Sequence, residues 1–335
     1  MTSLILIPLL ASFFVTLFFL PVWISRAKKA GLVGKDVNKF NGKKVSEAGG
    51  VTIVAGFALG VMVYIAINTF FFKGTNNFIE IFSLMSSILF IAFIAFTDDV
   101  LGWKIGLRRR TRLILVAFAA IPLVAINAGK SGITLPFLGA VDLGVAYPLI
   151  LIPLGIVGAT TTYNFLAGFN GLEAGQGIIL LSALAVVSYI TGSPWLSIVA
   201  LCMVASLVAF LIYNFDPAQI FPGDSLTYPV GGLIAIMAIL GNFEKIAVFF
   251  FIPYILETGL KLRGKLVKQS YGKPRKDGSL DLRYDKIYSL NHVAIVLMKK
   301  MKVKPTERGT VFLIWGFQLI IILATFVLFR EGIFG

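Results

Sequence analysis

Ten stretches of this chain are long, apolar and almost free of charge: Leu4–Ile24, Val51–Phe72, Ile79–Thr97, Leu113–Asn127, Val145–Tyr163, Gly177–Ile190, Leu196–Tyr213, Leu226–Leu240, Ile246–Leu262 and Val311–Phe329. A helix needs about 20 apolar residues to cross the hydrocarbon layer of a bilayer. The pattern predicts an all-α, polytopic membrane protein with about ten transmembrane helices. The sixth and eighth runs are short for that task, and hydropathy sets their ends loosely. The first run, 21 residues long, exceeds the apolar core of a signal peptide and has no basic segment before it, so it is expected to remain as a helix. With no internal repeat and no low-complexity linker, residues 1–335 read as one integral-membrane domain. Gly129–Gly144 alternates apolar residues with glycines and a proline, as a small hairpin would. Asp285–Lys304 puts Ile287, Leu290, Ala294, Leu297, Met298 and Met301 on one helical face, which suggests a helix lying on the membrane surface. His292, the only histidine, falls opposite that face and is expected to be solvated.

Composition agrees with this pattern. Of 335 residues, 58% are hydrophobic and 14% charged, with a mean hydropathy of +0.90, whereas soluble domains are about a quarter charged. A net charge of +14 would suit a nucleic-acid binder, but its placement excludes one. Residues 25–50, 98–112, 164–176, 214–225 and 261–310 fall on one side of the ten-helix scheme and hold 26 of the 30 Lys and Arg residues. Basic residues mark the cytoplasmic face, so both termini are expected outside and all the polar motifs inside. The basic excess sets orientation and meets anionic headgroups and substrates. Cys202 lies in an apolar run, where it reads as a small buried residue with no internal disulfide partner.

Candidate chemistry gathers at that inner face. Tyr163–Gly177, Y-N-F-L-A-G-F-N-G-L-E-A-G-Q-G, carries Asn164, Asn170, Glu173 and Gln176 between two apolar runs. An ionisable group at membrane depth costs about 2.5–3.5 kcal/mol, so such residues point to function. The plain alternative is a glycine-rich turn between helices. Thr97-Asp98-Asp99-Val100-Leu101-Gly102 ends the third run, and its paired carboxylates face an unfavourable helix C-terminus. Lys104, Arg108, Arg109, Arg110 and Arg112 follow, able to neutralise the pair or hold phosphates. Val45–Gly50 contains Glu47 at a turn into a helix, and Asn214–Ser225 contains Asp216, Phe221 and Asp224. Lys304-Pro305-Thr306-Glu307-Arg308 leads into the last run.

The stretch N-F-L-A-G-F-N-G-L-E-A-G-Q closely resembles the signature of the polyprenyl-phosphate N-acetylhexosamine-1-phosphate transferases, and within them the branch acting on dolichyl phosphate. The other motifs resemble that family's in the same order, from about residue 45 to 310. The resemblance implies Asp98 and Asp99 as the catalytic acid pair, with Arg112 where the family has a lysine. It maps Asp224 onto a magnesium-ligating aspartate and Asn164 onto an asparagine contacting metal and diphosphate. Phe221 maps onto an aromatic near the uracil. Glu47, Gly168, Asn170 and Glu173 are expected to help bind substrate. Asp216 has no assigned role and reads as a loop cap. Ala167 and Asn170 stand where bacterial relatives carry aspartates, and Thr161 where they carry an asparagine, which selects the branch. One departure falls in Lys265–Leu282, where relatives carry an Arg-His-Arg cluster; Arg275 is expected to take over its diphosphate contact.

The resemblance implies transfer of GlcNAc-1-phosphate from UDP-GlcNAc to a dolichyl or other polyprenyl phosphate, with Mg2+ (or Mn2+) as cofactor and UMP released. No serine, cysteine or histidine nucleophile is at hand, so direct attack by the lipid phosphate is expected. The expected partners are those two substrates and the bilayer, with no nucleic acid; a homodimer is left open. The short loops suggest an archaeal cell membrane, or the endoplasmic reticulum if the chain is eukaryotic. A sibling enzyme using another UDP-sugar and a membrane transporter remain as alternatives.

Overall fold

The computed structural model describes residues 2–135 and 139–334. In chain order it begins with α1 (Thr2–Lys29), a short antiparallel pair β1 (Val33–Lys35) and β2 (Lys44–Ser46), and α2 (Gly50–Ile67), which runs on as a π-turn through Asn68–Phe72. Next come α3 (Phe78–Ile105), α4 (Arg109–Phe118), α5 (Ile121–Ala125) and a hairpin of β3 (Gly132–Leu135) and β4 (Gly139–Asp142). That hairpin was expected, although residues 136–138 lie outside the described ones. A π-segment, Tyr147–Leu151, leads into α6 (Ile152–Phe165), followed by α7 (Leu172–Ile190), α8 (Pro194–Asn214), α9 (Asp224–Gly241), α10 (Glu244–Phe250) and α11 (Ile252–Arg263). The chain closes with β5 (Lys273–Pro274), β6 (Leu280–Asp281), α12 (Leu290–Lys300), α13 (Glu307–Leu328) and α14 (Arg330–Phe334).

Eight helical spans among the described residues are long and apolar enough to cross a membrane. This is a multi-pass, all-α membrane protein. The fourth and ninth expected spans are not single helices: α4 and α5 replace one, α10 and α11 the other. Pro122 and Pro253 sit in the first turns of α5 and α11. Proline has no N–H and clashes with the carbonyl four residues back, so continuous helix is blocked at Phe118 and Phe249. Two helix ends also differ from hydropathy. α3 continues through Asp98 and Asp99 to Ile105, kinking at Gly102 (φ 68°), and α7 starts at Leu172, five residues before Gly177. Asp98, Asp99 and Glu173 thus sit in terminal helix turns.

One group of helices is α1, α2 and α8; a second is α3 and α6 on either side of α9, with α7 linking the two. α9 is central: 15 of its 18 residues are buried, and its first turn therefore meets several elements at once. Large exposed apolar side chains such as Phe18, Phe93 and Leu323 face outward, where lipid would lie. Cys202 is buried and free, as expected.

α12 departs from expectation. Asn291, His292, Ala294, Ile295 and Met298 are buried against the protein, while Leu297 and Met301 are exposed. His292 is 0% exposed, not solvated. Its Nδ1 accepts the Tyr288 N–H at 3.3 Å and its Nε2 lies 3.2 Å from the Tyr271 carbonyl. Burial pushes its pKa below the usual value, so it sits as a neutral imidazole that donates to one carbonyl and accepts from one amide. These two bonds explain the reversal: the histidine clamps the loop carrying Tyr271 to α12.

Candidate active site

Two helix ends and two helix starts meet at a single point. The last turns of α3 bring Asp98 and Asp99, α4 brings Arg112, the last turn of α6 brings Asn164, and the first turn of α9 brings Asp224. Arg112 Nη1 lies 2.7 Å from Asp98 Oδ2 and also bonds Asp224 Oδ2, so one guanidinium bridges two carboxylates 126 residues apart in the chain. Asp98 Oδ1 accepts the Leu107 N–H at 2.5 Å, tying down the turn between α3 and α4. On the other side of Asp224, Asn164 Nδ2 donates to Oδ1 at 3.0 Å, and Thr227 Oγ1 donates to Asn164 Oδ1 at 3.1 Å. Asp99 turns the other way and accepts the backbone N–H groups of Asp224 and Ser225.

Two cavities open on either side of this cluster. The first, about 210 Å3, is walled by Lys35, Asp36, Asn38, Glu47, Asn164, Gly168, Asn170, Glu173, Phe221, Asp224 and Tyr271, among others. The second, about 500 Å3, combines Arg109, Arg112, Lys261 and Lys268 with the apolar Leu113, Phe165, Leu266 and Val267. Asn164, Ala167, Gly168 and Tyr271 belong to both walls. One cavity is narrow and polar; the other is wider, cationic and partly greasy.

The α6–α7 turn between them is held from every side. Glu173 Oε1 accepts the Gly168 N–H at 2.7 Å, Glu307 accepts the Asn170 N–H at 2.8 Å, and Asn214 accepts the Gly171 N–H at 3.1 Å. Asn170 Nδ2 donates to Asp36 at 3.0 Å. Gly168 has φ 106°, and a Cβ there would lie 2.5 Å from the Tyr271 ring, so only glycine lets that ring close over the turn. Glu47 lies in the first cavity, and burial raises its pKa.

Six of the seven residues expected to bind substrate therefore line the first cavity: Glu47, Asn164, Gly168, Asn170, Glu173 and Phe221. Arg275 lines a different cavity beside Lys39, Asp216 and Arg308, and its Nε pairs with Asp281. Asp216 does not merely cap a loop. It pairs with Lys39 and, at 3.0 Å, with Arg308. Several wall residues escaped sequence reasoning. Asn38 donates to the Gly168 carbonyl at 2.6 Å and accepts the Gly272 N–H at 3.2 Å, joining segments 130 and 234 residues away. Lys35, Asp36 and Tyr271 likewise lie in stretches with no motif. Thr227 and Asn214 were within reach, since both stand in or beside the Asn214–Ser225 motif.

The donors around Asp224 suit a hard divalent cation. Among the described residues no three His, Cys, Asp or Glu side chains form a metal cage. Asp224 offers a carboxylate, and Asn164, whose Nδ2 faces Asp224 and whose Oδ1 faces Thr227, would offer its amide oxygen once the amide is turned over; Mg2+ is commonly held by few protein oxygens plus water and substrate phosphate. The Arg112 guanidinium already lies between the Asp98 and Asp224 carboxylates, so this point accommodates positive charge.

The structure thus sets an acid, amide and guanidinium cluster between a polar cavity and a cationic, partly apolar one. The chain belongs to glycosyl transferase family 4, whose profile matches residues 81–242. It is 36% identical over 319 residues, 94% of each chain, to a Saccharolobus solfataricus protein provisionally named UDP-N-acetylglucosamine--dolichyl-phosphate N-acetylglucosaminephosphotransferase. The Dictyostelium discoideum enzyme of that name is 33% identical over 266 residues, 68% of this chain and 64% of its own. A phospho-N-acetylmuramoyl-pentapeptide-transferase of Halalkalibacterium halodurans is 27% identical over 282 residues, covering 78% and 85%.

Proposed function

We propose that this enzyme transfers N-acetylglucosamine 1-phosphate from UDP-N-acetylglucosamine to a dolichyl-type polyprenyl phosphate at the cytoplasmic face, releasing UMP. The observation that carries this reading is the shared wall of the two cavities: Asn164 belongs to both, with Asp224 on one side and Arg112 on the other. The polar cavity suits a nucleotide diphosphate sugar. The second suits a lipid phosphate, because Arg109, Arg112, Lys261 and Lys268 surround it while Leu113, Phe165 and Val267 give an apolar flank. Membership of a glycosyl transferase family weighs against a transporter.

A lipid phosphate oxygen attacks the β-phosphorus; that P–O bond forms as the bond to the bridging oxygen breaks, and UMP leaves with the electron pair. Such transfers depend mostly on positioning and charge stabilisation. A phosphomonoester's second pKa is about 6, so most of the acceptor is already dianionic at neutral pH. Arg112 offsets charge where the two phosphates meet, and Asp98 fixes the guanidinium. Mg2+, or Mn2+, held by Asp224 and the Asn164 amide oxygen, would neutralise the donor diphosphate. Arg275 is left out of this scheme because its wall and its Asp281 partner lie elsewhere. Both termini lie outside in this reading, supported by the 26 of 30 basic residues assigned to the opposite loops.

Release of UMP by the purified protein across a panel of UDP-sugars tests the proposal. UDP-N-acetylglucosamine should be used and the UDP-MurNAc-pentapeptide refused; similar turnover of both would overturn the donor assignment. Orientation is tested by labelling Thr2→Cys and Phe334→Cys in a Cys202→Ala background. Modification from the cytoplasmic side would reverse the topology.

A further inference from the structure

We infer that Asp99 is a positioning residue that sets the metal-binding end of α9 and touches neither substrate. Its carboxylate leaves the end of α3 and meets the first turn of α9, where Oδ1 accepts the Asp224 N–H at 2.8 Å and Oδ2 the Ser225 N–H at 3.0 Å. The first N–H groups of a helix have no partner inside it. The residue in the cap position is Gly223, which has no side chain to supply one. Asp99 provides the cap from 125 residues away, and a carboxylate suits the positive end of the helix dipole.

The fit is close. Gly223 has φ 70°, and a Cβ there would lie 2.3 Å from Asp99 Oδ2, so any side chain would push the two apart. Neither acid of the pair is among the described walls of the two cavities; Asp98 reaches the second through Arg112, which lines it, whereas Asp99 bonds only the backbone of α9. Because Asp99 holds the main chain of Asp224 itself, loosening it displaces the Asp224 carboxylate directly. The two acids of the pair thus divide the work: one orients a cation for substrate phosphate, the other aims the metal ligand. This rests on Asp224 holding Mg2+ as proposed above.

The test titrates MgCl2 into the purified full-length protein while following thermal unfolding, and separately UMP release. Asp99→Asn keeps the shape but turns an NH2 group toward one backbone N–H. It should raise the half-saturating Mg2+ about 10- to 100-fold in both readouts, the usual consequence of losing a group that orients a metal ligand. Its pH–rate profile should keep the wild-type shape. Gly223→Ala, which alters no acid, should shift Mg2+ in the same direction. A wild-type Mg2+ response in Asp99→Asn, with a rate deficit that alkaline pH recovers, would make Asp99 a general base and overturn the inference. If Asp99→Asn does not fold, Gly223→Ala decides: a weakened Mg2+ response supports the inference, and an unchanged one overturns it. Asp224→Asn is the reference. If it keeps its Mg2+-dependent stabilisation, the metal assignment itself fails, whatever Asp99→Asn does.

Discussion

Two ion clusters stand at the same end of the molecule and are built differently. Asp98 and Asp224 share one cation, Arg112, while Asp99 beside them meets only backbone N–H groups. Asp216 and Glu307 share two, with Lys39 reaching both (2.6 Å to Glu307) and Arg308 reaching Asp216. The second cluster is balanced. It ties the β1–β2 loop to the α8–α9 loop and to the start of α13, and burial, which would lower the Lys39 pKa, is outweighed by its two carboxylates, which raise it. The first cluster sets three carboxyl groups and one cation beside two cavities, an arrangement in which full ionisation is costly unless something positive joins it. A balanced cluster works as a clasp; an unbalanced one awaits a ligand.

The sharpest way to break the comparison is one substitution in each cluster. Asp224→Asn should cost about 10^2- to 10^3-fold or more in UMP release at matched expression, the scale seen when one preorganised charge-stabilising group is lost. Asp216→Asn should stay within a few-fold. Equal losses would mean the clasp and the site have been confused.

Asp98→Asn comes next. With Asp98 orienting Arg112 and the acceptor already mostly dianionic, activity should fall about 10^2-fold and remain nearly flat from about pH 6.5 to 9. A loss that shrinks steadily as pH rises would make Asp98 the base. Trapping a phosphorylated enzyme would end the direct-attack scheme altogether.

Glu307→Gln probes the clasp through stability. Glu307 is buried, accepts the Asn170 N–H and pairs with Lys39. Losing its charge should destabilise the fold by about 1–3 kcal/mol, read as a lower unfolding temperature in detergent, with the Mg2+ dependence of the rate unchanged. A shifted Mg2+ dependence would show that the two clusters are coupled.

The smallest effect concerns the clamp outside both clusters. His292 has a pKa held below its ordinary 6.5 by burial. The unfolded chain therefore takes up the proton first, and this contribution to stability, full above about pH 6.5, falls as pH drops through that value. The limit for one proton is about 1.4 kcal/mol per pH unit. Relative to wild type, His292→Asn should be less stable near pH 8 and close the gap near pH 5.5. A gap that does not change with pH would rule out the neutral clamp.

The multi-pass helical architecture and eight of the ten expected spans were legible in the chain because bilayer crossing depends on a local sum of apolar residues, and six of the seven residues expected to bind substrate line one cavity because most of them belong to short motifs at or near helix ends. Pro122 and Pro253 also stood in the sequence, inside apolar runs whose hydropathy hides the breaks, and were not read as breaks. Other features could not be read this way. Asp216 and Asp224 both lie in one short polar loop, and nothing within it shows that one meets two cations and the other a cavity. Asp98 and Asp99 are adjacent, but successive residues on a helix point about 100° apart, so they meet different partners across different interfaces. His292 was assigned to solvent from the apolar pattern of its own helix, but the Tyr271 carbonyl that buries it comes from 21 residues away. Hydrophobic burial adds up residue by residue along the chain. A polar group's role depends on which donors and acceptors reach within about 3 Å of it, and here those come from segments up to 234 residues apart, so only tertiary packing could decide them.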